Sequence, residues 1–168
     1  MRVVFLLIVL AFVATSLNAQ QQLNPYKGLW HYQNGNLDLQ VVLWQDGEEM
    51  FGHFKMVEVN EMGKQVNLIY TSRKTFFDGT PMSPEIYGGL NELGLTGIIH
   101  DNTIANLNRD SKNGEIIIKL VPSCSGCGLQ ASWKIDTNIE VTVGDEPPFN
   151  IPTDIVLTKI SNIVPSNF

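Results

Sequence analysis

Arginine, histidine and cysteine are scarce in this chain, and long apolar runs and helix-like periodicity are missing after its first few residues. The 168 residues hold three arginines, Arg2, Arg73 and Arg109, and 11 Lys+Arg stand against 17 Asp+Glu, a formal net charge of −6. Such a surface repels phosphate backbones. Nucleic acid is therefore not expected as a partner, because its main affinity term comes from clustered Lys and Arg. The three histidines, His31, His53 and His100, are widely spaced, and two cysteines cannot complete a four-ligand structural zinc site. No metal and no cofactor is expected. No G-x-S-x-G turn or comparable nucleophile setting is present. The carboxylate pairs Glu48-Glu49 and Asp145-Glu146 fall in turn-like stretches and read as solvated charge. His100 is the one histidine beside an acid, Asp101, but adjacent residues of an extended chain point to opposite sides. The chain reads as non-enzymatic.

The one long apolar run lies at the start. Arg2 precedes eleven apolar residues from Val3 to Val13, and small polar residues then lead to Leu17-Asn18-Ala19 before Gln20. That order is a secretory signal peptide over residues 1–19, cleaved after Ala19, and the run is too short for the roughly twenty residues of a membrane span. A lipoprotein signal would place Cys after the cleavage site, where Gln20 stands, so no membrane anchor is expected. The expected destination is secreted or periplasmic. The remaining 149 residues carry 10 Lys+Arg against 17 Asp+Glu, a net charge of −7, and contain no N-x-S/T sequon. That length suits one domain with its own core. Residues 20–27 read as a flexible lead-in and residues 28–168 as the domain.

Cys124 and Cys127 stand in Pro122-Ser-Cys-Ser-Gly-Cys-Gly128. A thioredoxin-like redox pair would need the first Cys at a helix N-terminus. Here Gly128 and then an alternating strand pattern come next. In an oxidising compartment the expected outcome is a disulfide between Cys124 and Cys127 in a turn, closing a ring too small to constrain the unfolded chain much.

Period-two alternation dominates the chain from Gly28 onward. Leu37, Leu39, Val41 and Leu43 alternate with polar residues, and Leu129, Ala131, Trp133 and Ile135 do so more cleanly still. Strands are predicted at 28–34, 37–45, 49–59, 64–72, 85–90, 94–100, 103–108, 114–121, 129–136, 139–143 and 154–160. Asn34-Gly35, Asn113-Gly114 and Asp46-Gly47 are candidate type I′ hairpin turns, with Met62-Gly63 a fourth turn. Residues 73–84 and 144–152 are loops. Short turns between successive strands predict an all-β antiparallel meander, closed or nearly closed into a barrel because closure removes sheet edges. A β-sandwich is the alternative, with 73–84 and 144–152 as its crossings.

Gly28-Leu29-Trp30 at the first strand, followed by such a meander, resembles the lipocalin (calycin) group, whose G-x-W motif opens the barrel and packs its Trp across the barrel floor. The layout is also similar to small secreted bacterial proteins with lipocalin-like barrels. Where the group carries an Arg over that Trp, this chain has Lys159, which supplies charge without planar stacking. The amphipathic helix that comes after the barrel in that group has no counterpart here. The resemblance implies a barrel that could hold a small ligand. With only Arg73 and Arg109 after the leader, both at strand ends or in turns, a carboxylate anchored inside is disfavoured. A neutral apolar ligand bounded by Trp30, Met50, Phe54, Met56 and Trp133 is the kind such a barrel could hold, unless these bulky residues fill it themselves. The alternative is a filled core with a protein partner met by surface loops, for which Phe76, Phe77 and Tyr87 are the candidate exposed aromatics.

Overall fold

The computed structural model describes residues 24–104, 111–122, 126–136, 148–166 and 168. Nine strands succeed one another: β1 (Gly28–Asn34), β2 (Leu37–Asp46), β3 (Glu49–Val59), β4 (Gln65–Thr71), β5 (Ile86–Asn91), β6 (Gly94–Asp101), β7 (Lys112–Val121), β8 (Gln130–Asp136) and β9 (Asp154–Ser161). Each predicted run that lies within the described residues becomes a strand to within two residues, except 103–108, where Thr103 and Ile104 are turn and coil. The rest of that run lies outside the described residues, as does 139–143. Among the described residues there is no helix.

All pairings are antiparallel, and β9 returns to β1, with Trp30 opposite Lys159 and His31 opposite Thr158. That return closes β1, β2, β3, β5, β6, β7, β8 and β9 into an eight-stranded barrel and rules out the sandwich. The ninth strand, β4, stands outside the ring. β3 is long enough to serve two partners: Glu49 to Gly52 pair with β5, and Lys55 to Val59 pair with β4.

Inward positions obey the alternation. In β8, Ala131, Trp133 and Ile135 are buried while Lys134 and Asp136 are exposed. The inward residues of all eight ring strands merge into one cluster that includes Trp30, Phe54, Met50, Ile99, Ile118 and Leu157. An eight-stranded barrel has an interior of about the width that side chains fill.

The turns differ from expectation by one residue. Gly35-Asn36 and Gly47-Glu48 are the turn residues, with Gly35 at φ +63° and Gly47 at φ +61°, and no non-glycine residue has positive φ among those described. A single positive φ at the first central position is the type II′ pattern, so the type I′ assignment is corrected. Asn113-Gly114 is not a turn at all. Both residues lie inside β7, where Gly114 faces the barrel interior so closely that a Cβ would sit 2.6 Å from Ile135 Cγ2. The same Asn-Gly pair serves close packing there rather than chain reversal.

Glycine also lets two strands approach between β5 and β6. Gly88 pairs with Gly97, and a Cβ on Gly97 would lie 2.1 Å from the Tyr87 carbonyl oxygen and 2.6 Å from Gly88 Cα. Backbone on both sides leaves nothing flexible to move aside. Gly97→Ala is expected to destabilise the barrel by about 2 kcal/mol or more. Urea unfolding checks this, and a change below about 0.5 kcal/mol would contradict the packing described.

Candidate functional site

The five residues expected to bound a ligand are brought together. Trp30, Met50, Phe54 and Trp133 have no exposed surface and Met56 has 9%, all within the packed core. Twelve large side chains are less than 2% exposed, so the interior is occupied by the protein itself.

Both barrel ends are also covered, and a tryptophan ties down each cover. At one end the chain before β1 crosses the opening. Trp30 Nε1 donates to the Tyr26 carbonyl at 2.8 Å, Asn24 Nδ2 donates to Met50 Sδ at 3.1 Å, and Tyr26 is buried. Lys159 Nζ sits 5.2 Å from the centre of the Trp30 ring and donates to the Pro25 carbonyl at 2.6 Å, which places its charge over that Trp as expected. Residues 148–153 cross the other end. Trp133 Nε1 donates to the Pro152 carbonyl at 2.9 Å, and the buried Asp101 carboxylate accepts from the Asn150 N–H at 2.7 Å and from the Ile151 N–H at 3.4 Å. Tyr70 Oη donates to the Asn150 carbonyl at 3.0 Å.

The outside of the barrel is where side chains with binding chemistry gather. Trp44, Phe51, His53 and Tyr87 occupy outward positions of β2, β3 and β5. Their rings form a continuous row: Tyr87 to Phe51 at 5.5 Å, Phe51 to Trp44 at 6.1 Å and nearly parallel, and Trp44 to His53 at 5.4 Å. Of the four, sequence reasoning identified Tyr87. The available signal was phase, since Trp44 comes after Leu43, Phe51 after Met50 and His53 before Phe54, each one step from an inward residue.

The row ends in a hollow of about 520 Å³ whose wall includes Trp44, His53, Lys27, Arg73, Met82 and Phe168. Two segments build its sides. The first, from Ser72 to Glu85, is pinned at both ends. Buried Ser72 accepts the Phe54 N–H on Oγ at 2.8 Å and donates its own N–H to the Phe54 carbonyl at 2.8 Å, while the Glu85 N–H reaches the Gly52 carbonyl at 3.1 Å. Within this segment Phe76 N–H donates to the Thr80 carbonyl at 2.8 Å, and Asp78 Oδ1 accepts from the Thr80 N–H at 2.9 Å and from Thr80 Oγ1 at 2.6 Å. This tight tip holds Phe77 fully in solvent, with Phe76 54% exposed. The second segment is the strap after β9. Arg73 Nη1 donates to the Phe168 carbonyl at 3.1 Å and to the Ser166 carbonyl at 3.3 Å, and Lys55 Nζ lies 4.6 Å from the centre of the Phe168 ring. A neighbouring hollow of about 500 Å³ on the other side of Arg73 and Phe168 is lined by Lys55, Gln40 and Leu68 among others. Neither hollow includes any of the five interior residues.

Two ionisable groups near this face are shifted by burial. Glu85, 8% exposed, is pushed up to about 7 by burial and helped by the charge of Asp101, against the opposing pull of Lys74 and the Asn102 hydrogen bond. Burial first, then the Arg73 charge, hold His53 down at about 4, and its buried Nδ1 has no hydrogen-bond partner. The histidine that meets a carboxylate is His31, whose Nδ1 is 3.1 Å from Asp38 Oδ1 across the β1–β2 hairpin, with Gln40 Nε2 donating to Asp38 Oδ2 at 3.0 Å. Among the described residues no three of His, Cys, Asp and Glu come together as a metal site. Cys127 is described, but Cys124, Arg109, Asp145 and Glu146 lie outside the described residues, as does the expected leader. The expected bridge between Cys124 and Cys127 therefore falls outside them too.

No protein-family model, no curated protein and no solved structure matches the chain.

The two shifts act on stability with opposite signs. Glu85 is more easily protonated folded than unfolded, so its contribution is full below about 4.5 and is lost as pH rises through about 7. His53 resists protonation, so its contribution is full above 6.5 and is lost as pH falls through about 4. Glu85→Gln is expected to gain stability relative to the parent between pH 4.5 and 7.5, by on the order of 2 kcal/mol over that interval. Urea midpoints at four pH values would show it, and a parallel pair of curves would contradict the burial assigned to Glu85.

Proposed function

We propose that this is an exported, non-enzymatic binding protein whose lipocalin-like barrel is a filled scaffold and whose binding surface is the outer aromatic face. The observation that carries this reading is the outward row Tyr87–Phe51–Trp44–His53 beside the segment that exposes Phe76 and Phe77, set against an interior that its own side chains occupy. Aromatics collected on one exposed face are the residues that dominate recognition energies. The rings of the row already rest on one another, which lowers the conformational entropy lost when a partner covers them.

The lipocalin-like part of the reading draws on Gly28-Leu29-Trp30 opening β1 and on the Lys159 charge over the Trp30 ring, where that group carries an Arg. Export draws on the charge and hydropathy order of residues 1–19, with a secreted or periplasmic destination and no lipid anchor. A bridge between Cys124 and Cys127 suits that compartment. The barrel-cavity carrier of a neutral apolar ligand is the weaker reading, because Trp30, Met50, Phe54, Met56 and Trp133 pack on one another instead of lining a space.

Native mass spectrometry of the protein purified from its own host tests the choice. The expected mass is that of the polypeptide alone, or of a complex lost on Phe77→Ser or Trp44→Leu. A retained apolar molecule lost on Phe54→Leu and kept on Trp44→Leu would place the ligand inside the barrel and overturn the proposal.

A further inference from the structure

The outer hollow beside His53 differs from the rest of the molecule in charge. The chain carries 17 acidic side chains against 11 basic ones, yet among the described residues the hollow is lined by Lys27 and Arg73 and by no Asp or Glu side chain. Two cations over a low-dielectric wall make a local attraction for anions, against the negative net charge of the chain as a whole. Its volume of about 520 Å³ lies in the range of small-molecule sites.

The donors there are not used up. Arg73 spends Nη1 on two main-chain oxygens of the strap, those of Ser166 and Phe168, and among the described residues nothing takes a hydrogen bond from its Nε or Nη2. That leaves a guanidinium with donors to spare, the group best suited to a carboxylate. The same hollow has an aromatic and apolar part to its wall. Trp44 and the neutral His53 ring stand 5.4 Å apart and tilted by 42°, and Met82 and Val164 also line the hollow. The strap itself displays the same pairing of chemistry, since Phe168 sets an oxygen on Arg73 and its aromatic ring against Lys55.

We infer that this hollow binds a small aromatic carboxylate, its anion on Arg73 and Lys27 and its ring against Trp44 and His53. This rests on the outer-face reading and adds the chemical class of the ligand. It also reassigns the role of Arg73. From the sequence, an arginine in a turn argues against carboxylate binding inside a barrel; on the outer wall, that same position is where a carboxylate can reach it.

Calorimetric titration with 2-naphthoate and with 2-naphthol, one flat body with and without the charge at neutral pH, tests the inference. Saturable binding of naphthoate is expected, at least about tenfold tighter than naphthol, as a charge-assisted contact implies. Arg73→Gln should abolish that preference. Because Arg73 also holds the strap, Lys27→Gln provides a second variant free of that role, and it should weaken naphthoate several-fold and leave naphthol unchanged. Trp44→Leu should weaken both compounds. Equal binding of the two compounds, lost on Trp44→Leu, would overturn the anionic class and leave the outer site standing. No binding of either compound would overturn the ligand class without touching the filled scaffold. Binding insensitive to Arg73→Gln, Lys27→Gln and Trp44→Leu but lost on Phe54→Leu would overturn both readings.

Discussion

Two indole N–H groups govern how this barrel is finished. A ring of eight strands leaves two open mouths, and a buried indole that found no acceptor would cost free energy on the order of 1–3 kcal/mol. Trp30 and Trp133 each meet that demand by donating to a backbone carbonyl of the segment crossing one mouth, Tyr26 at one end and Pro152 at the other. One bond thus satisfies the core and seats the cover. The charge of Lys159 over Trp30 and the carboxylate of Asp101 beneath residues 150–151 complete the same arrangement at their respective ends.

With the inside occupied and the mouths crossed, chemistry is displaced outward. The outer face between β5 and β2 is neither polar nor uniform. It carries a row of rings, a tip that exposes Phe77, and two hollows separated by a strap that Arg73 and Lys55 hold. What orders these parts is the core beneath them. Ser72 fixes the start of the Phe76–Phe77 segment to the backbone of Phe54, whose side chain is fully buried, so the outer site inherits its position from the inner packing.

The fold was largely legible because alternation survives any uncertainty about partners. Leu39, Val41 and Leu43 had to face one way whichever strand lay beside them, and the short gaps between runs left few topologies but a meander. Turn chemistry was less legible. Asn-Gly signals two positive φ values, but Gly35 alone provides one and Asn34 stays in its strand, while Asn113-Gly114 satisfies a packing need that only Ile135 and Phe149 reveal. Alternation put Trp133 on the inward face, the resemblance of Gly28-Leu29-Trp30 put Trp30 there, and both lie in the core. Alternation left a filled core and a ligand cavity both open, since filling depends on where the mouths' covers lie. The outer site was the least legible part. Trp44, Phe51 and His53 come from two strands, Arg73 from a loop and Phe168 from the strap, and no local spacing connects them. The same holds for His31 and Asp38, seven positions apart and joined only by the register of a hairpin.

The three tryptophans divide the molecule into separately observable regions. Trp30 and Trp133 are wholly shielded from solvent at opposite mouths, and Trp44 is partly exposed in the wall of the outer hollow. Their emission should therefore separate without any added label: two blue-shifted signals that shift red when a mouth opens, and one accessible to a soluble quencher. Single-tryptophan variants of this chain would track the loosening of each end and the occupancy of the outer face as three independent optical events.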